Sequence, residues 1–233
     1  KKAVKNTKVL VALDVGPSGK LLKPYGDLAF EDAVSNFAAV VKAGADAGAD
    51  LVLIETMNDS YETKAAVLAA KENCDLPVFV TCVYDEKQKL MTGASPHAMA
   101  ALLEGLGVDA IGVNCSLGPK EMKPVVRELV RVCSVPVIVN PNAGLPKIEN
   151  GETVFDVTPE IFAAEMEDIA RFGAGILGGC CGTTPEHIKA MKERVLKSVS
   201  FKPVEEKNIS VVSSYANAVV IGEKPILIGE RIN

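Results

Sequence analysis

The stretch AIGVNCSLGPKEMKPVVRELVRVCSVPVIVNPN, residues 110–142, decides the fold. Its two ends, 110–116 and 136–142, are short apolar runs rich in β-branched residues, which predict strands. Residues 120–132 between them carry apolar side chains three or four positions apart, which predicts a helix. A strand, a helix and a second strand in this order form a βαβ unit, whose two strands run parallel.

The same alternation continues on both sides of this unit. Strands are predicted at 8–16, 50–56, 77–85 and 175–181, and helices at 30–49, 60–73, 96–107, 159–173 and 185–197. Continuous apolar strands joined by helices indicate a parallel sheet that is covered by helices. Such a sheet is either an open doubly wound sheet or a (β/α)8 barrel.

Chemically notable residues follow nearly every predicted strand, and they favour the barrel. They are Asp14, Glu55, Cys115, Asn142, Cys180 and Cys181. In a barrel the carboxyl ends of the strands carry the active site. An open sheet would gather such residues at one switch point, usually beside a GxGxxG loop, and GPSG at 16–19 does not match that motif.

We therefore predict a TIM-type (β/α)8 barrel of which six βα units are present. We expect residues 1–197 to form this barrel without its first two units. The segment FKPVEEKN reads as a linker, and two further strand-like runs follow it. Residues 198–233 are thus expected to be a linker and the start of another domain.

Composition and charge exclude several classes of protein. Of 233 residues, 48% are apolar, and 25 Lys and Arg against 30 Asp and Glu give a net charge of −5. No basic run is present, so nucleic acid and anionic membrane surfaces are not expected as partners. Six cysteines are too sparse for a disulfide scaffold, and no signal peptide is apparent. We expect a soluble cytoplasmic protein with reduced thiols.

Three cysteines are candidates for one metal site. Cys180 and Cys181 are adjacent, and glycines on both sides allow the backbone to bend so that both thiols reach the same point. Cys115 ends another strand at the same rim. Three thiolates with an open fourth position are typical of catalytic zinc. Taken singly, each cysteine could instead be a small buried apolar residue, and that is the interpretation for Cys74, Cys82 and Cys133.

Other polar residues leave alternatives open. Glu55 ends an apolar strand, so its carboxylate needs a ligand, a structural partner or water. His97 and His187 lie in the first turns of predicted helices without a metal-binding spacing, and we expect them on the surface. The Gly-rich turn at 178–184 before a helix could bind phosphate, so a lyase or isomerase acting on a phosphorylated substrate is the alternative from another class.

Three motifs carry a resemblance to a known family. GVNCSLGP at 112–119, PNAGLP at 141–146 and GGCCGTTPEHI at 178–188 resemble the homocysteine-binding barrel of the cobalamin-dependent methionine synthases. ALDVGPSGKLLKPYGDLAFEDA and LVLIETMND are similar to the same family. The likeness covers about 8–195, and GEKPILIGERIN resembles the start of the folate-binding domain that follows in these enzymes. The Asp-Gly motif that family members carry on their first strand is absent here.

The resemblance implies an activity and a set of roles. It implies a homocysteine S-methyltransferase whose zinc, held by Cys115, Cys180 and Cys181, activates homocysteine as a thiolate that attacks a methyl group. It implies that Glu55 holds the substrate amino group and that Asn142 is an oxygen ligand of the metal when substrate is absent. No other catalytic residue is expected beyond the zinc site.

The methyl donor implied by the resemblance is methylcobalamin, carried by another domain of the parent enzyme. Folate-binding and cobalamin-binding domains are therefore expected as partners. A corrinoid-independent homocysteine methyltransferase that uses betaine or S-methylmethionine is the alternative. The strand-like runs after residue 208 favour the modular enzyme, since a direct donor needs no further domain.

Overall fold

A six-stranded parallel sheet forms the centre of the molecule in a computed structural model that describes residues 1–149, 151–222, 224–226 and 229. The strand order is β1-β2-β3-β4-β5-β8, and every neighbouring pair is parallel. Ten strands are described: β1 (Ala12–Val15), β2 (Leu51–Met57), β3 (Val78–Cys82), β4 (Ala110–Asn114), β5 (Val137–Asn140), β6 (Lys147–Glu149), β7 (Glu152–Val154), β8 (Ile176–Leu177), β9 (Ser210–Ser213) and β10 (Ala218–Ile221).

Six α-helices connect and cover these strands. They are α1 (Phe30–Asp46), α2 (Ser60–Asn73), α3 (Pro96–Gly105), α4 (Pro119–Val132), α5 (Pro159–Phe172) and α6 (Pro185–Ser198). Local sequence explains where several begin. Asp59 accepts hydrogen bonds from the amides of Tyr61 and Glu62, and Ser95 accepts one from Ala98, so both act as N-caps. Proline opens four of the helices, where its missing N–H is not needed.

The predicted fold is confirmed: six parallel strands lie in barrel order with a helix after each. Within the described residues, β1 and β8 each pair on one side only, so the sheet does not close. The last strand is much shorter than predicted. It covers Ile176–Leu177, and the Gly-rich residues after it form a loop.

The two faces of the sheet have different neighbours. Leu13 on β1 packs on α1, where a Cβ added to Gly44 would lie 2.5 Å from its methyl groups. Asp14 therefore points to the opposite, concave face, and Leu53 of β2 shares that face because the two are register partners. Glu55 lies two positions beyond Leu53. The concave face and its carboxyl-end rim thus receive the predicted site residues.

Two antiparallel hairpins were not fully anticipated. β6 and β7 form one in the loop between β5 and α5, where the sequence pattern predicts neither strand nor helix. β9 and β10 each contain a Val-Val pair, as predicted for one strand-like run of this segment, whereas the other predicted run, PILIG at 225–229, lies partly outside the described residues. The turn between them contacts the barrel, because the Ser95 amide donates to Ala216 O at 3.0 Å and Ser60 Oγ to Tyr215 O at 3.4 Å. The assignment of 198–233 to a linker and a further domain stays a prediction, and its final residues lie outside the described part.

One carboxylate between α5 and α6 has two cationic partners. Glu167 accepts a hydrogen bond from Arg171 at 2.5 Å and another from Arg194. These bonds, with one from Ser198, lower the pKa of Glu167 from 4.5 to about 2. The carboxylate therefore links the last two helices of the barrel. No helix within the described residues has both the length and the apolar character needed to cross a membrane.

Candidate metal centre

The three predicted thiols come together at the carboxyl-end rim of the sheet. The Sγ atoms of Cys115, Cys180 and Cys181 lie within 4.8 Å of one another. Cys181 Sγ is 3.8 Å from Cys115 Sγ and 3.9 Å from Cys180 Sγ. Cys115 and Cys180 are partly buried, whereas Cys181 is exposed. Three thiols at these separations can contact a single metal ion and leave its outer side open to a ligand.

Cys115 reaches this position through an unusual backbone. It follows β4 directly, and both Cys115 and Ser116 are in the left-handed region, with φ of 58° and 61°. Residues other than glycine seldom adopt this conformation. The Cys115 amide donates to Asn140 O at 3.1 Å, so the strand ladder continues one residue further and fixes the turn.

The loop of Cys180 and Cys181 is held mainly by the residues that follow β5. Cys180 N donates to Pro141 O at 2.8 Å, and Ala143 N donates to Cys181 O at 2.9 Å. Gly182, with φ of +76°, turns the chain back, and a Cβ there would lie 2.4 Å from the ring of Phe155. The prediction that both thiols turn to one point only after the strand has ended agrees with this loop.

Electrostatics disfavour three bare thiolates in this cluster. Burial, together with the charges of Cys115 and Cys181, raises the pKa of Cys180 to about 12. Burial, followed by its interactions with Cys115, also raises the pKa of Cys181. The two thiols would thus stay protonated at neutral pH without a positive charge between them. A metal cation supplies that charge and deprotonates coordinating thiols, so the donor set fits a thiophilic ion.

Glu55 lies at an irregular point of β2 and does not belong to the thiol cluster. The register between β2 and β3 shifts between Ile54 and Met57, and Thr56 has φ of +62°. Burial, and to a smaller extent the charge of Asp14, raises the pKa of the Glu55 carboxyl. Within the described residues no cation is paired with it. A half-buried acid with no cation is suited to receive one from a ligand.

Asn142 is buried beside the cysteines. Its Oδ1 accepts a hydrogen bond from Cys181 N at 3.1 Å, and its own amide donates to Leu117 O at 3.1 Å. Asn142 therefore joins the two cysteine loops. A carbonyl oxygen has two lone pairs, so one remains after the bond to Cys181.

The expectation that both histidines lie on the surface was wrong. His187 is only 7% exposed. Its Nδ1 accepts from Thr184 N at 3.2 Å, and its Nε2 is 2.9 Å from Val157 O, to which it can only donate. His187 therefore closes the first turn of α6 and holds it to the segment before α5. His97 is partly buried, and its Nε2 has no hydrogen-bond partner among the described residues.

The turn predicted as a possible phosphate site has little capacity for an anion. Four of its amides already have protein acceptors: Cys180 N, Cys181 N, Thr183 N and Thr184 N donate to Pro141 O, Asn142 Oδ1, Cys180 O and His187 Nδ1. A phosphate site at a helix N-terminus depends on free amides. The lyase or isomerase alternative loses its structural basis here.

The remaining cysteines lie away from the cluster. Burial raises the pKa of Cys82 and of Cys133 to about 12, and both are fully covered. Cys74 is partly buried at the end of α2 and its thiol contacts Ala70 O. Their interpretation as packing residues agrees with these positions.

Sequence reasoning missed a buried polar network directly below the cluster. Asn114 is fully buried, and its amide bonds to Thr56 of β2 and to Thr81 of β3. An asparagine that ends an otherwise apolar strand, AIGVN, was the available signal. Such a residue needs buried partners.

Comparisons with known proteins agree with this geometry. The family model described as homocysteine S-methyltransferase matches residues 1–195. The methionine synthase of Mycobacterium leprae (strain TN) is 38% identical over 200 residues, which are 81% of this chain. That of Mycobacterium tuberculosis (strain ATCC 25618 / H37Rv) is 36% identical over 201 residues, again 81% of the chain. The chain spans only 17% and 16% of the length of these two proteins.

Solved structures are similar over the same portion. The apo form of the homocysteine methyltransferase MmuM from Escherichia coli is 26% identical, with a TM-score of 0.66 over 81% of this chain and 63% of that chain. Its metallated form gives a TM-score of 0.64 at 26% identity over 81% of this chain and 62% of that one. The resemblance seen in the motifs is thereby confirmed, and the chain belongs to the homocysteine S-methyltransferase family.

Proposed function

We propose that this chain binds zinc through Cys115, Cys180 and Cys181 and presents homocysteine to a methyl donor, with methionine as the product. The observation that carries the proposal is the convergence of three thiols from two loops within 4.8 Å at the rim of the sheet. Membership of the homocysteine S-methyltransferase family makes a thiol substrate the natural fourth partner of such a centre.

The chemistry needed is the formation of a thiolate at neutral pH. A free alkyl thiol is mostly protonated there, and the thiolate is the nucleophile. Zinc bound by the three cysteines would lower the pKa of a fourth, substrate thiol that enters the open position. The three protein thiolates are strong electron donors, which keeps the substrate sulfur nucleophilic.

Glu55 and Asn142 contribute the protein's own polar contacts. The Glu55 carboxylate lies on the concave face and has no cationic partner in the part of the chain that the structure describes, so it accepts the ammonium group of the amino acid. Asn142 holds the Cys181 backbone through Oδ1, and the remaining lone pair of that oxygen makes it a candidate ligand for the metal before substrate arrives. Its buried position beside both cysteine loops supports that role.

The methyl donor in this proposal is methylcobalamin, presented by a separate domain of a larger enzyme. The identities support this reading, since the chain is 38% and 36% identical to two methionine synthases and 26% identical to MmuM. A folate-binding domain after residue 198 fits the same modular enzyme. Betaine and S-methylmethionine remain the alternative donors.

Metal content of the purified chain tests the centre. We expect about one zinc per chain in the wild type and its loss in Cys180→Ser, because two thiols cannot complete the site. Cys74→Ser is the matched control, since this partly buried thiol lies outside the cluster. Zinc retained by the triple Cys115→Ser, Cys180→Ser, Cys181→Ser variant would refute the assignment.

The donor is tested on the complete enzyme that contains this chain. We expect methylation of homocysteine from methylcobalamin and no turnover with betaine or S-methylmethionine. Turnover with betaine in the absence of any corrinoid would favour the alternative.

A further inference from the structure

The Asn114 amide occupies a position between the two halves of the proposed site. It ends β4 immediately before Cys115, and it is completely buried. Its Oδ1 accepts from Thr56 N at 2.9 Å and from Thr81 Oγ1 at 2.9 Å. Its Nδ2 donates to Thr56 Oγ1 at 2.7 Å and lies 4.0 Å from Cys180 Sγ.

The orientation of this amide follows from its partners. Thr56 N can only donate, so the atom facing it must be the carbonyl oxygen, and the nitrogen must occupy the other side. An amide offers two acceptor lone pairs and two N–H groups. Both lone pairs and one N–H are engaged by the two threonines. The second N–H is the one available to the sulfur of Cys180.

Thr56 needs this support because its backbone is unfavourable. A β-branched residue with φ of +62° is a genuine outlier, and its neighbour in the chain is Glu55. The Asn114 side chain forms hydrogen bonds with both the backbone N–H and the hydroxyl group of Thr56. Without these two bonds, Thr56 is free to return to a negative φ, which would rotate the Glu55 carboxylate relative to the sheet.

We propose that Asn114 is a positioning residue that sets the spacing between Glu55, the anchor for the substrate ammonium, and the thiols that bind the metal, and that it thereby determines the chain length of the amino-acid thiol accepted. The inference rests on the proposed function. One rigid amide contacts the residue next to Glu55 and also the sulfur of Cys180. This amide therefore links the carboxylate side of the site to the thiol side, in addition to the backbone bonds that hold the loop of Cys180 and Cys181.

The consequence concerns selectivity between homologous thiols. Homocysteine places two methylene groups between its amino-bearing carbon and its sulfur, and cysteine places one. A fixed spacing favours the substrate whose two ends reach both partners together. When the amide is removed, homocysteine loses this advantage, whereas cysteine, which cannot span both partners, loses little.

The test compares zinc-loaded wild-type chain with Asn114→Ala by titration calorimetry against homocysteine and against cysteine. We expect zinc content to be unchanged and the ratio of the two affinities to fall about tenfold, which corresponds to about 1.4 kcal/mol. Thr81→Val is the matched control, because it removes one buried hydrogen bond to the same Oδ1 and leaves both Thr56 bonds in place. Its ratio should stay within about twofold of the wild type.

A spectroscopic readout keeps the test independent of binding. In the cobalt(II)-substituted chain, the thiolate-to-metal charge-transfer band should shift in Asn114→Ala and stay in place in Thr81→Val. Asn114→Asp conserves the volume and the acceptors for the threonines but presents an oxygen to Cys180, so it is the second variant if the alanine protein does not fold. The Asn114→Asp variant should shift the charge-transfer band and lower the ratio of homocysteine affinity to cysteine affinity.

The outcomes separate this inference from the function on which it rests. Wild-type chain that holds zinc but does not bind homocysteine overturns both. If the wild type binds homocysteine and both Asn114 variants keep its selectivity and its band, only the role of Asn114 is refuted. An equal loss of selectivity in Thr81→Val also overturns the proposal, because Asn114 would then act only through general support of the core.

Discussion

Replacement of Glu55 by glutamine tests the amino-acid half of the site most directly. The carboxylate lies on the concave face, is partly buried and has no cationic partner within the described residues. Glutamine keeps the shape and the hydrogen-bonding carbonyl and removes the charge. The bound ammonium would then be partly desolvated without a counter-ion.

The expected loss follows from the burial of this acid. Removing one partner of a buried, hydrogen-bonded charge pair typically costs about 2 to 5 kcal/mol or more. Because Glu55 is only partly buried, water offsets some of this, and the lower limit of about 2 kcal/mol applies, a factor of about 30 in Kd. Zinc content should not change, since the carboxylate is not part of the thiol cluster.

The assay is a calorimetric titration of zinc-loaded chain with homocysteine and with 4-mercaptobutanoate, which lacks the amino group. Glu55→Gln should weaken homocysteine about 30-fold and leave the analogue within about twofold. Glu86→Gln, an exposed acid on the loop after β3, is the control. Equal losses for both ligands, or no loss for homocysteine, would refute the ammonium contact.

Three further perturbations have defined directions. In Asp14→Asn, the loss of a nearby negative charge should lower the raised pKa of Glu55, so homocysteine binding should persist to a lower pH than in the wild type. An unchanged pH dependence of homocysteine affinity on the acidic side would contradict this. In Glu167→Gln, the urea midpoint should fall at pH 7 but not near pH 2. The folded state lowers the pKa of Glu167 to about 2, so the carboxylate stabilises the fold above its unfolded pKa and loses this contribution as the pH falls to the folded pKa. Gly182→Ala should lower the free energy of unfolding by at least about 1 kcal/mol in a denaturant titration and should release zinc more readily. Gly48→Ala, where φ is positive but no atom lies within 4 Å of the added Cβ, should show only the loss due to backbone strain.

Sequence patterns that act over a few residues were sufficient to predict the helices and the parallel sheet of this molecule. The predicted helix 60–73 matches α2 at both ends, and 159–173 matches α5 within one residue. Their N-caps and their apolar spacing act within a few residues, so the sequence contains them directly. The convergence of the three cysteines could also be predicted, because parallel strands bring their carboxyl ends to one rim.

Long-range pairing could not be predicted in the same way. The partners of Asn114 come from two other strands, and only the register decides that its amide meets Thr56 and Thr81. The burial of His187 depends on the position of Val157 O, which lies 30 residues away. The β6–β7 hairpin does have a local signal, since KIENGETV contains the Asn-Gly pair typical of tight hairpin turns.

The attachment of the vicinal cysteines to the segment after β5 has a consequence for protein engineering. β8 is two residues long, while Cys180 and Cys181 bond to Pro141, Asn142 and Ala143. The loop of Cys180 and Cys181 is thus half of a composite unit, because its shape depends on the backbone of residues 141–143 as well as on its own sequence. Grafting GGCC alone onto another barrel should give a conformationally flexible pair of thiols. A graft that also includes PNAGLP should preserve the positions of the two thiols.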